Sequence, residues 1–333
     1  MESLHKLNQS NHRTLSGIAT SEYFRQLLDR SPHIKHVLCY VRAWAKAKGI
    51  YGTLYGFPGG LAWTVMVICV AELSQEKDEF TLLRIVFKLL EDWDWSVNAM
   101  SLGNGPVKRT ANDLDAMIVY PPMNPISNCT HSVTPSHLSR IQTELRKATI
   151  SLLRHKTFSP AALESPLRPT PFFTLFPSFV EVVFADRDPA LAAEWASTGL
   201  FHLRALNDAL SACPDIDKSV IYSATIPFSF EDPTFLALPS LDDAKDKLET
   251  EMLLDRDAEP PLDDGKIKAS SFYIGFSPTK SARKNPQPTD LSQIFRDWAN
   301  LVQETGTKKP TSAIRVRVLQ KSQIPARVTG GSG

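Results

Sequence analysis

A glycine pair that opens an apolar run, Gly59-Gly60 before Leu61-Ala62-Trp63, is the feature best suited to handling an anion. A helix start leaves backbone N–H groups without partners, which favours a negative or acceptor group, and residues lacking Cβ let that group come close. Upstream, Arg42 and Lys46 stand four apart, hence on one helix face, where both reach phosphate. A tight crossing of two helices explains the same glycines equally well. Metal-dependent phosphoryl transfer needs clustered carboxylates. The candidates are Asp113 and Asp115, in Asn112-Asp113-Leu114-Asp115, whose i, i+2 spacing would aim both to one face of a strand. Asp92 and Asp94 alternate with Trp93 and Trp95 and read as packing around a helix end. His131, His155 and His202 lack partners at triad or metal spacing and read as structural, as do Trp44, Trp63 and Trp195 as core.

Apolar periodicity supplies the elements that must position these groups. From Ser21 to Leu90 apolar residues recur every three to four positions, which predicts amphipathic helices interrupted by the turn at 49–60. Leu61 to Leu73 is apolar nearly all round, as a helix in the middle of a bundle would be. A loop-rich stretch is expected from Asn98 to Pro135, and another helix from Ser136 to Arg154. Past Pro169 the rhythm changes to a strand over Phe172–Asp186, a helix over Pro189–Leu210, alternation over Val220–Phe230, a strand at Ser271–Phe276, a helix at Leu291–Gln303 and a strand at Ala313–Leu319. That β-α-β…β-α-β order is the order of a ferredoxin-like sandwich. The expectation is an α+β chain with a helical domain at 13–168 and a ferredoxin-like (RRM-like) domain at 169–328, with an acidic insertion at 241–265.

The 333 residues suit two domains or one large one, and 42% hydrophobic with 22% charged residues exclude a disordered or fibrous chain. A net charge of +1 gives no global attraction to nucleic acid or membrane. The longest nearly unbroken apolar run, Leu61 to Ala71, is far below the ~18 residues a bilayer span needs. Cys39, Cys69, Cys129 and Cys213 are too scattered for a C-x-x-C pair or zinc cluster and read as reduced thiols of an intracellular protein. Charge is nevertheless sorted locally. Between Asp242 and Asp264 ten acids face three bases, a net of −7, whereas from Gly265 to the end twelve bases face three acids, a net of +9. The basic stretch either attracts phosphates or is a solvated face that balances the acidic one.

The order of residues from Ile34 to Leu73 resembles the central domain of eukaryotic poly(A) polymerases, whose motif reads R-A-x-K-x-W-A-K-x-x-x-I-Y-x-x-x-x-G-F-x-G-G-[VL]-x-W. Here it is Arg42-Ala43-Trp44-Ala45-Lys46 with Lys48, Ile50-Tyr51, then Gly56-Phe57-Pro58-Gly59-Gly60-Leu61-Ala62-Trp63. Arg13-Thr-Leu-Ser16-Gly17 with Thr20-Ser21-Glu22 resembles the family's R-S-L-N-G-x-R-V-T-D-E, and Met117 to Thr134 its M-P-I-I-T-P segment. Looser similarity covers Phe172 to Phe184, Glu194-Trp195, Leu203 to Leu206, Ser271 to Phe276 and Ile314 to Pro325, along the family's RNA-binding domain.

The resemblance implies AMP transfer from ATP to an RNA 3′-hydroxyl in mRNA 3′-end polyadenylation, with Mg²⁺ or Mn²⁺, in the nucleus. The implied partners are ATP, the 3′ end of an mRNA and 3′-end processing factors, with no membrane and no DNA. It implies ATP contacts at Arg42, Tyr51, Gly59, Gly60 and Leu61, with Arg42, Ser16 and Thr53 where the family has Lys, Asn and Asn. It implies RNA contacts at Lys280, Arg283, Lys284, Lys308, Lys309, Arg315, Arg317 and Lys321, with Phe272 and Tyr273 as stacking candidates. Only twelve residues precede Arg13, where the family's carboxylate domain would stand, so the expectation is a chain that is inactive alone. Asp113 and Asp115, which resemble the D-I-D-A-L strand of that domain, are its sole catalytic candidates and no metal site is expected. The alternative is a non-catalytic RNA-binding or scaffold protein derived from such an enzyme.

Overall fold

The structure, a computed structural model, describes residues 9–103, 106–110, 112–122, 127–230, 249–252, 267–284, 289–305, 313–325 and 328, with backbone alone at 9–16, 230 and 249–252. Two compact units divide the chain, Met1–Thr170 and Pro171–Gly333.

The first unit is built around one helix with no polar side. Helix α1 spans Gln9–Arg30, α2 Pro32–Ala47, α3 Gly60–Ser74, α4 Glu79–Asp92, α5 Pro135–Leu153 and α6 Pro160–Leu167. Ten consecutive residues of α3, Ala62 to Ala71, are buried, so its near-uniform apolarity is matched by neighbours on every side. From α2 the stripe Ile34, Val37, Leu38, Val41 and Trp44 packs inward, and from α4 Leu83, Val86, Phe87 and Leu90 do the same. Trp44 is fully buried edge-on to Trp63 at 5.9 Å and to Phe87 at 4.7 Å between ring centres. Local signals set the ends. Pro32 occupies the first turn of α2, the Asp78 carboxylate caps α4 by accepting from Thr81 N at 2.8 Å, and Gln75 ends α3 with φ of 55°.

The stretch expected to be loop-rich also holds a small sheet, ordered β2-β1-β3: β1 (Asn98–Ser101), β2 (Pro106–Lys108) and β3 (Val119–Tyr120). Strands of two to four residues show too little alternation to be visible as a pattern.

The second unit is a sheet with helices on one face. Its elements are β4 (Ser178–Asp186), α7 (Pro189–Ala212), β5 (Ile216–Ile221), β6 (Ile226–Phe230), β7 (Glu249–Met252), β8 (Ile267–Pro278), α8 (Ser292–Thr305) and β9 (Ala313–Gln320). The order is β5-β8-β4-β9-β7, with β6 also on β8, and every pairing is antiparallel. All nine residues of the central strand β4 are buried. Alternation sends Phe184 to the helix face, against Trp195 of α7 and Trp298 of α8, both 6.2 Å between ring centres. It sends Phe179 and Glu181 to the opposite face, where Phe172 and Phe173 stack on Phe179 at 6.0 and 5.4 Å. Phe172, Phe173 and Phe176 precede β4 and close that face at one end.

Candidate functional site

The turn between α2 and α3 folds Tyr51 back onto the start of α3. Gly52 and Gly56 have φ of 111° and 78°, a backbone shape that side chains with a Cβ disfavour, and Gly52 N–H donates to Pro58 O at 3.0 Å to close the loop. Gly59 is extended, at φ −81° and ψ −179°, so its conformation alone makes no demand for glycine. Crowding makes that demand at Gly60. A Cβ there would stand 2.8 Å from the Tyr51 hydroxyl oxygen and 3.6 Å from Arg42 Nη2. The close approach read from the glycine pair is therefore present at Gly60, and the groups admitted by it are Tyr51 and Arg42.

Three positive features converge on this helix start. Arg42 Nη2 donates to Gly60 O at 3.0 Å and to Thr64 Oγ1 at 2.6 Å, and Thr64 Oγ1 donates to the same carbonyl at 2.6 Å. Both acceptors of Arg42 are neutral, so the guanidinium is oriented without being neutralised, and its buried Nε has no partner among the described residues. Lys46 Nζ lies 5.1 Å from the centre of the Tyr51 ring, a cation–π distance. No side chain caps α3, and its first turn has no acidic residue, so its N–H groups keep their partial positive charge.

Beside this turn lies a cavity of about 530 Å³, a volume in the range of small-molecule sites. Helix α1 lines it with Gly17, Thr20, Ser21 and Phe24, α2 and α3 with Arg42, Leu61 and Thr64, and the loop after β3 with Ser127 and Cys129. Burial pushes the Cys129 thiol up to about 12, and Sγ donates to Val119 O at 3.1 Å, so this cysteine is a neutral wall and no nucleophile. Phe24 and Leu61 supply apolar surface, and Thr20, Ser21, Thr64 and Ser127 supply hydroxyls.

Arg42 and Leu61 of the expected ATP set line the cavity, and Tyr51, Gly59 and Gly60 form its neighbouring turn. Thr53 is exposed, with its methyl 3.2 Å from where a Gly59 Cβ would be. The side chain of Ser16 is outside the described residues. Thr64 escaped notice in the sequence, although its i+4 spacing from Gly60 is the signal of a hydroxyl that bonds back to a carbonyl.

The carboxylate candidates are corrected by the loop that holds them. Asp113 and Asp115 are not on a strand. Asp113 Oδ2 accepts from Thr110 N at 2.7 Å and Thr110 Oγ1 at 3.1 Å, and Asp115 Oδ2 accepts from Asn128 Nδ2 at 2.8 Å. Arg109 donates to the carbonyls of Trp95, Asp113 and Asp115, fixing the loop from the side. Asp113 thus organises its own turn and Asp115 ties the loop to Asn128, and no group of three or more His, Cys, Asp or Glu able to hold a metal ion occurs among the described residues. The described residues do not fit a catalytic metal pair.

In the second unit the expected RNA contacts separate into open and engaged groups. Lys280, Arg283, Lys284 and Lys321 are exposed, with Arg283 Nε on Pro278 O at 3.1 Å and Lys321 Nζ on Thr174 O at 3.2 Å. Arg317 is engaged: its Nε donates to Oε2 of the fully buried Glu181 at 2.5 Å, while the Tyr273 hydroxyl donates to Oε1. Arg315 is half-buried on the same strand. Phe272 and Tyr273 are 1% and 0% exposed, so both belong to the core and neither offers a face for base stacking. Lys308 and Lys309, and most of the acidic insertion, lie outside the described residues. Glu181 had a signal in the sequence, one acid inside the apolar run Phe179-Val-Glu-Val-Val-Phe184.

Comparison with known proteins places the first unit. Residues 33–156 match the poly(A) polymerase central domain. A poly(A) polymerase of Candida albicans is 26% identical over 197 residues, 56% of this chain and 35% of that protein. A poly(A) polymerase of Dictyostelium discoideum is 22% identical over 341 residues, 98% of this chain and 38% of that protein. Nuclear poly(A) polymerase 4 of Arabidopsis thaliana is 24% identical over 199 residues, 56% of this chain and 27% of that protein. The chain therefore spans well under half the length of these relatives. A solved RNA terminal uridylyl transferase aligns with a TM-score of 0.41 and 16% identity over 46% of this chain and 61% of that one, a likeness too low to carry an argument. With its turn and its central helix both inside the matched span, the chain is similar to the poly(A) polymerase central domain over residues 33–156.

Proposed function

We propose that this chain holds a nucleoside triphosphate at the start of α3 and single-stranded RNA on its second unit, as part of nucleus-located poly(A) addition to mRNA. The observation that carries the nucleotide half is the arrangement of Arg42, Lys46 and Tyr51 around an uncapped helix N-terminus beside a cavity of about 530 Å³. ATP suits it: the phosphates meet the N–H groups and the guanidinium, and the cavity has apolar and hydroxyl surface for base and sugar. Arg42 in place of the family's Lys keeps the charge and adds a fork able to bind the carbonyl, Thr64 and a phosphate oxygen together.

The RNA half is supported by the order of strands and helices in the second unit, which fits a ferredoxin-like RNA-binding module, and by exposed Lys280, Arg283, Lys284 and Lys321. AMP transfer to an RNA 3′-hydroxyl would need carboxylates to hold Mg²⁺ or Mn²⁺, and the described residues do not supply them. The engagement of Asp113 with Thr110 and of Asp115 with Asn128 favours a second reading, an RNA-binding or scaffold protein that holds nucleotide without turning it over.

Titration of the 333-residue chain with ATP, followed by incorporation of ATP into an oligo(A) primer with Mg²⁺ or Mn²⁺, tests both readings. Saturable ATP binding without incorporation is the expected result for this chain by itself. Incorporation that Asp113→Asn abolishes would restore those acids as catalytic, and absence of ATP binding would remove the nucleotide site.

A further inference from the structure

At the edge of the second unit's sheet, opposite charges are ordered by strand register. Antiparallel pairing of β7 with β9 sets Glu249 opposite Arg317, Thr250 opposite Val316 and Glu251 opposite Arg315. Because residues alternate between faces, both glutamates occupy register positions on the sheet face that carries both arginines. The row through Arg317 runs on inward to Glu181 and Tyr273, so that arginine has an acid at its register position on each side. The row through Arg315 runs inward to Val183, which leaves Glu251 as its acidic neighbour in register. Strand β7 comes from the segment of net −7 and β9 from the segment of net +9. Without β7, strand β9 would be the sheet edge, with an open row of backbone groups.

We propose that β7 is an intramolecular competitor for RNA, with Glu251 at the register position where a phosphate would meet Arg315 and Glu249 as a second acid beside the path, opposite the Arg317 that Glu181 already holds. The inference rests on the RNA reading proposed above. A polyanion delivers negative charge at regular spacing along an extended chain, which is what a two-acid strand of alternating register also delivers. A four-residue edge strand has few pairings to hold it, so binding of RNA along β9 exchanges one set of anions for another. Two cross-strand charge pairs together correspond to roughly a fivefold change in affinity.

Binding of a fluorescent oligo(A) to the full chain and to its Glu249→Gln, Glu251→Gln variant tests the exchange, at low and at high salt. The variant is expected to bind about fivefold more tightly at low salt, with the gain fading as salt screens both sets of charges and vanishing when Arg315→Ala is added. Equal, salt-sensitive binding by both forms would overturn the competition and leave the RNA reading standing. Failure of both forms to bind would overturn the two together. Should the double variant not fold cooperatively, Glu251→Gln alone reads the same exchange at Arg315, a position that does not pair with Glu181.

Discussion

Arg42 in the first unit and Arg317 in the second have the same side chain and opposite circumstances. Arg42 is held by a carbonyl and a hydroxyl, which set its direction and leave its charge to a ligand. Arg317 is held by the carboxylate of Glu181, which is fully buried, so the guanidinium is committed to a contact inside the fold. A basic residue is thus available to a phosphate when neutral dipoles position it, and is structural when the fold depends on its charge. By that measure, the site at the start of α3 is the better-founded of the two candidates, and the exposed lysines outrank Arg317 for RNA.

The comparison breaks most readily at Glu181. Replacing Arg317 with Met should cost about 3 kcal/mol of stability, because it strands a buried carboxylate, and chemical denaturation measures it. A loss below about 0.5 kcal/mol would show that Arg317 is free for other work. Arg42→Met should instead lower ATP affinity about tenfold with a smaller effect on unfolding, whereas Arg42→Lys should stay within about threefold by keeping the charge. Equal affinities for wild type and Arg42→Met would remove the guanidinium from the site.

Gly60→Ala should destabilise by about 1–2 kcal/mol, since its methyl meets the Tyr51 hydroxyl, and Tyr51→Phe added to it should recover part of that loss in thermal unfolding. Additive losses would mean that the hydroxyl is not the obstacle. The smallest effect on stability, within about 0.5 kcal/mol, is expected for Lys280→Ala with Lys284→Ala, both exposed. The RNA affinity of that double variant should nevertheless depend less steeply on salt, by about one unit of slope for each phosphate that is no longer neutralised.

Much of this was legible in residue order. The all-apolar run before Leu73 became the buried α3, the stripes of α2 and α4 became its neighbours, and alternation at Ala313 to Leu319 became β9. Elements that span only one or two periods of their own pattern, such as β1 to β3, were not, and α6 of eight residues was missed as well. The spacing of Asp113 and Asp115 suggested a metal pair, yet spacing specifies a shared face only if the segment is a strand, and this one is a loop closed by Asn128 and Arg109.

Residue order by itself determined the α+β class, the glycine turn with Arg42 four residues before Lys46, and the sorting of acidic and basic charge along the second half, since these depend on local periodicity and composition. Tertiary structure alone decided which cations have a carboxylate beside them, that Phe272 and Tyr273 are core, and that an acidic strand lies in register against the basic one. Those outcomes depend on which strands become neighbours, and pairing between segments tens of residues apart leaves no trace in local spacing.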